Sequence, residues 1–158
     1  MLGKALLTLS ATALIFATPL ADYNHTHIFN PLWKPHAKFH TGQTITMSIV
    51  LGLATLFLTY RPDLPSSTSS PSSSSSSPPS SAAAAAAAAR YLEAEKRKQS
   101  LRFAAFTGSI YWLAGLAAYF YPGASGLDPE FGGPGFPQGK LFGGLGVAAV
   151  VGGWLEGW

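Results

Sequence analysis

Cysteine is absent from the 158 residues, and charge is scarce, with only 11% of positions occupied by Asp, Glu, Lys or Arg. The first absence excludes a disulfide framework, a thiolate nucleophile and zinc–thiolate ligation. The second excludes the usual solvated surface of a water-soluble domain, about 25% of whose residues are charged. Histidine is missing everywhere except in one segment, HTHIFNPLWKPHAKFH, which holds all four. Within it HAKFH carries alanine where an HExxH zinc motif needs glutamate, so that motif is absent too.

Apolar residues are what is abundant, at 47% of the chain. They are bunched into four nearly uncharged runs: Ala5 to Leu20, Thr44 to Tyr60, Phe103 to Tyr121 and Leu141 to Leu155. As helices these runs reach roughly 22 to 29 Å, slightly under the roughly 30 Å hydrocarbon thickness of an average bilayer. Short spans fit the thinner endoplasmic reticulum membrane, at about 27 Å. The chain is too short to cover four such helices with other protein. The expected fold is therefore all-α: a four-transmembrane-helix bundle.

Its parts follow from composition. Residues 1–61 hold helices 1 and 2 around the histidine-rich loop. Residues 62–100 hold the Ser/Pro-rich stretch PDLPSSTSSPSSSSSSPPSS, expected to be a disordered cytosolic linker, and an Ala-rich helix. Residues 101–158 hold helices 3 and 4 around a Gly/Pro-rich loop. The first run is expected to be a retained helix, because Pro19 and Ala21 match a signal-cleavage site poorly.

The net charge of +3 does not indicate a nucleic-acid partner, since the basic residues are scattered among loops. Seven of them (Lys4, Arg61, Arg90, Lys96, Arg97, Lys98, Arg102) fall on one predicted side and three (Lys34, Lys38, Lys140) on the other. The positive-inside rule then puts both termini and the middle loop in the cytosol and the histidines in the lumen or outside. Asn24, His25 and Thr26 form a glycosylation sequon on that side, expected to stay unmodified because it abuts the first span.

Pro35 is expected to start the second helix and Pro62 to stop it after Arg61. His36 and His40, four apart, then share one face above the bilayer. In the first helical turn the dipole favours neutral imidazole, a base. Asp128 or Glu130, from the other luminal loop, is the expected complementary acid. Such a pair suits isomerisation, cyclisation or dehydration of a membrane-dissolved hydrophobic molecule. The structural alternative is that these histidines and aromatics merely line an interface while Asn30 and Asp128 turn backbone before prolines. The four histidines are too few for a histidine-rich di-iron site, no metal is assigned, and the cofactor is left unknown.

In the Ala-rich helix, Glu93 and Arg97 stand at favourable i, i+4 spacing. In the last run Gly144, Ala148 and Gly152 make a small-residue stripe that admits a neighbouring backbone, in the same chain or in an oligomer, and Ser48 with Gly52 gives the second run a similar face. Glu156, between Trp154 and Trp158, reads as an interfacial anchor.

At THIFNPLWKPHAKFHTGQT, and again at YPG followed by LDPEF, the sequence resembles a group of small multi-helix membrane proteins of filamentous fungi. The resemblance implies an integral membrane protein without an assigned catalytic residue. Some of that group look like neighbours of natural-product biosynthesis genes, which implies a tailoring enzyme of secondary metabolism. Its motif supplies the candidate substrate-binding residues His27, Asn30, Trp33, Phe39 and Gln43. A nonenzymatic membrane protein that binds lipid or assembles with a partner is the competing expectation.

Overall fold

Four long helices account for most of the computed structural model, which describes residues 1–61 and 79–157. They are α1 (Leu2–Asp22), α2 (Pro35–Tyr60), α3 (Pro79–Ala118) and α4 (Gln138–Gly157), with one 3-10 turn at Pro129–Phe131. There is no strand among the described residues. The disorder expected of the Ser/Pro-rich insert lies outside the described residues, as does Trp158.

The helix boundaries follow local chemistry. Lys34 is extended (φ −65°, ψ 152°) and Pro35 begins α2, where its missing N–H costs nothing. α1 continues two residues past the apolar run to Asp22, and the side chain of Asn24 folds back to cap it, Nδ2 donating to Ala21 O at 2.7 Å. α3 is a single 40-residue helix that joins the alanine run to the third apolar run without a break. Glu93 pairs with Lys96 at 3.0 Å, where the sequence spacing had pointed to Arg97.

Each helix packs against its chain neighbours and α1 closes the ring against α4, so the bundle is a square whose α2 and α4 do not meet. Two apolar clusters fill it. Leu7, Leu101, Ala104 and Ala149 form one, and Leu14, Trp112 and Leu145 the other. Polar links tie the helices between them. Trp112 Nε1 donates to Ser10 Oγ at 2.8 Å, Ser10 Oγ donates to Gly108 O at 2.8 Å, and the Thr55 and Thr107 hydroxyls bond at 2.8 Å.

Glycines set the closest approaches. A Cβ on Gly52 would lie 2.7 Å from Ala11 O, and one on Gly152 would lie 2.7 Å from Gly3 O. The expected stripe on α4 therefore splits, because Gly144 has nothing within 4 Å while Gly152 is consumed by packing on α1.

Beside those apolar clusters several small polar residues are inside, and many large apolar ones are outside. Ser10, Ser48, Thr55 and Thr59 are fully buried, whereas Phe16, Leu53, Phe57, Phe103, Phe106 and Val147 are each more than half exposed. A helix apolar on all sides belongs in a core or a membrane. Two of the four, α1 and α2, are long and apolar enough to cross a membrane, each with mean hydropathy 1.5. α3 and α4 do not meet that standard among the described residues; α3 carries a charged extension and Arg102, and α4 holds Lys140 and Glu156 near its ends. Glu156 bonds the Met1 ammonium, which holds its carboxyl below the ordinary value and brings the start of α1 to the end of α4.

Candidate acid–base site

The segment between α1 and α2 folds back on the end of α1. The Ile28 N–H reaches Asp22 O at 3.3 Å and the Phe29 N–H reaches Asn24 O at 2.9 Å, and these turns bring the His27 ring over the last residue of α1. His27 Nε2 then stands 3.8 Å from Asp22 Oδ1. That is beyond hydrogen-bond length, so neither group is committed to the other. Trp33 covers the imidazole edge-on, with ring centroids 4.9 Å apart.

The hydrogen bonds around His27 specify its tautomer. Asn24 Nδ2 donates to the Ala21 and Leu20 carbonyls, which leaves Asn24 Oδ1 facing Thr26 as an acceptor. Thr26 Oγ1 lies 2.7 Å from that oxygen and therefore gives it its one proton. The same hydroxyl is 2.7 Å from His27 Nδ1, and having no second proton it accepts one there. Neutral His27 thus carries its hydrogen on Nδ1 and presents the lone pair of Nε2 toward Asp22.

Asp22 lies beyond the apolar run Ala5 to Leu20 and is partly buried. Burial pushes its carboxyl up from the ordinary value, and the charge of His27 opposes that shift. Tyr111 of α3 approaches from the bundle side, its hydroxyl meeting the Thr18 side chain within range of the Asp22 charge. A carboxyl raised above its ordinary value, an imidazole nitrogen and a phenol are gathered at one end of the bundle. Such a pair can take a proton at Nε2 and return one from the carboxyl.

The other expected residues divide. His36 and His40 do meet, Nε2 to Nε2 at 3.1 Å, and His40 Nδ1 is 3.2 Å from Gln43 Oε1. With Gln43 Oε1 accepting, His40 holds its hydrogen on Nδ1 and receives the His36 N–H. Phe39 stacks beside His36 at 6.4 Å, and all four side chains are exposed. Asn30 is buried, its Oδ1 accepting from Leu32 N at 2.9 Å, so its amide shapes the turn before Pro31. Asp128 and Glu130 sit on the exposed 3-10 turn. Among the described residues no hydrogen bond or ion pair links either carboxylate to His36 or His40. The two loops touch instead through His25 and Phe131, whose rings are 6.5 Å apart. No group of three or more metal-ligating side chains occurs among the described residues.

Sequence reasoning passed over Asp22 and Tyr111. Asp22 carries a usable signal, being the one acid between the first two apolar runs and five residues before His27. Tyr111 lies inside the third apolar run, and only the packing of α3 beside α1 brings it to the site.

Residues 7–92 match the model of a family of unknown function (DUF6640). The match spans most of α1, the histidine segment, α2 and the Ala-rich start of α3, and it stops short of Tyr111 and of the Asp128 loop. No curated protein and no solved structure matches the chain.

Proposed function

The chain belongs to this family of unknown function, whose model covers just over half of it, and from its geometry we propose a small multi-pass membrane enzyme acting by acid–base chemistry on a hydrophobic metabolite. The observation that carries the reading is the Asp22–His27 pair, an acid and a base 3.8 Å apart at the end of an apolar helix. His27 Nε2 takes a proton from the substrate and the Asp22 carboxyl delivers one at a second atom. Proton passage from the imidazolium to the carboxylate then resets the pair. Isomerisation and cyclisation by this route balance without an added cofactor. Tyr111 and Trp33 border the reacting groups, while the exposed His36–His40–Gln43 chain with Phe39 receives the substrate at the surface. Asp128 and Glu130 are left outside the reaction.

Large apolar side chains exposed on all four helices support a four-span bundle. The basic residues support cytosolic termini, and the short spans suit the endoplasmic reticulum. The resemblance to fungal proteins near biosynthesis genes favours a tailoring step in secondary metabolism. Deletion in the native host, with hydrophobic metabolites profiled under expressing conditions, should accumulate an unconverted precursor. An unchanged profile overturns the reading.

One observation favours the nonenzymatic alternative. Gly144 faces open space on α4 beside exposed Val147 and Val151, leaving room for another helix. A stoichiometric crosslinked partner in native membranes, lost on Gly144→Leu, would support assembly as the primary role.

A further inference from the structure

At the end of the bundle opposite the histidines, α2 stops and the extension of α3 passes over it. Between them lies an open cavity of about 620 Å³, lined among others by Arg61, Glu93, Lys96, Arg97 and Ser100. Arg61 is the first residue after α2, so the cavity opens where an apolar helix leaves its run. Its guanidinium is held in place. Nε donates to Ser100 Oγ at 2.7 Å, Ser100 Oγ donates to Leu58 O at 2.7 Å, and the guanidinium carbon lies 5.8 Å from the Phe57 ring centroid.

The charge in this cavity is not balanced. Among the described residues Glu93 is its one carboxylate, and it is engaged by Lys96 at 3.0 Å. Among the described residues neither Arg61 nor Arg97 is paired with a carboxylate. Two guanidinium groups therefore face a shared space, one with Nε already fixed and its terminal nitrogens still available by count of donors. Planar paired donors match the oxygens of a phosphate, which a point-charge ammonium does not.

We propose that this cavity binds the phosphate-bearing headgroup of an anionic phospholipid. Exposed Phe57 and Leu53 lie on α2 beside Arg61 and offer the acyl chains of a lipid an apolar track that bare phosphate would not use. Basic pockets beside membrane helices on the cytosolic side recognise lipid in this way. The site lies at the other end of the bundle from Asp22 and His27 and does not depend on the acid–base reading. It does rest on α2 lying in a membrane.

The test uses the full chain in a mild detergent, titrated with short-chain phosphatidic acid, with short-chain phosphatidylcholine and with inorganic phosphate, bound ligand being counted by native mass spectrometry. Phosphatidic acid should bind the wild type about tenfold or more tighter than it binds Arg61→Gln/Arg97→Gln, and inorganic phosphate and phosphatidylcholine should not compete. Arg90→Gln, which removes one charge from the same helix outside the cavity, should bind as the wild type does. Arg97→Gln alone guards against misfolding at Arg61, since among the described residues Arg97 makes no bond that holds the helices, and it should weaken binding with the melting profile retained. Equal loss in Arg90→Gln overturns the site as a general charge effect. Competition by phosphate at matched concentration makes it a free-anion site and overturns the lipid assignment, as does equal binding of phosphatidylcholine.

Discussion

Asp22 and His27 face one another across 3.8 Å, the carboxyl raised by burial and the imidazole turning Nε2 toward it while Nδ1 meets Thr26. The five-residue separation is closed by the fold-back of the loop onto α1, and the tautomer is set by Thr26 and Asn24. A carboxyl and an imidazole are thereby brought side by side.

The raised Asp22 carboxyl gives a sign for stability against pH. Its folded-state value lies above the unfolded one, so its contribution is complete at acid pH and is lost as pH rises through the folded value. Asp22→Asn removes the ionisation while keeping the shape. In detergent the variant should melt at or above the wild-type temperature at neutral pH, with that advantage shrinking as pH falls. A variant clearly less stable at neutral pH would make the ionised pair a structural one.

Thr26→Val removes the hydroxyl that fixes the His27 hydrogen on Nδ1. The ring can then present either nitrogen, so kcat should fall about tenfold, less than for loss of the base itself, with KM little changed. Thr26→Ser, which keeps the hydroxyl, should restore kcat, a rescue that a purely structural loss would not show.

Gly52 and Gly144 should respond oppositely to Leu. Gly52→Leu drives a side chain into the backbone of α1 and should cost at least about 1–3 kcal/mol, read as lost monodispersity or a lower melting temperature in detergent. Gly144→Leu meets open space and should leave the melting temperature unchanged. Equal losses would contradict the helix arrangement.

With no native cysteine to label, single engineered cysteines report topology cleanly. Leu32→Cys and Ala86→Cys, both exposed, should react with a membrane-impermeant maleimide from opposite sides of sealed vesicles. Labelling from the same side would remove the crossing by α2.

Much of the frame was legible beforehand because proline and apolar runs act locally. Pro35 starts α2 and the four runs anchor the four helices, since neither requires knowledge of distant contacts. The meeting of His36 and His40 was legible for the same reason, as i and i+4 on one helix. The approach of His27 to Asp22 was not, because it depends on how the loop folds back on α1. Spacing alone favoured Asp128 and Glu130 on topological grounds, whereas backbone bonds from Ile28 and Phe29 bring His27 to Asp22. Tyr111 required the α1–α3 approach, and the split of the α4 stripe required the Gly3–Gly152 contact. The i, i+4 pairing of Glu93 gave way to Lys96 at i+3 because both cations lie within reach of one carboxylate on an exposed face.

The central claim is tested most directly by complementing the deletion host with single variants, each matched to wild-type membrane abundance. Wild type, Asp128→Asn and Glu130→Gln should restore the product, while Asp22→Asn and His27→Gln should lower its formation by about 100-fold or more. Full restoration by both Asp22→Asn and His27→Gln would contradict the account.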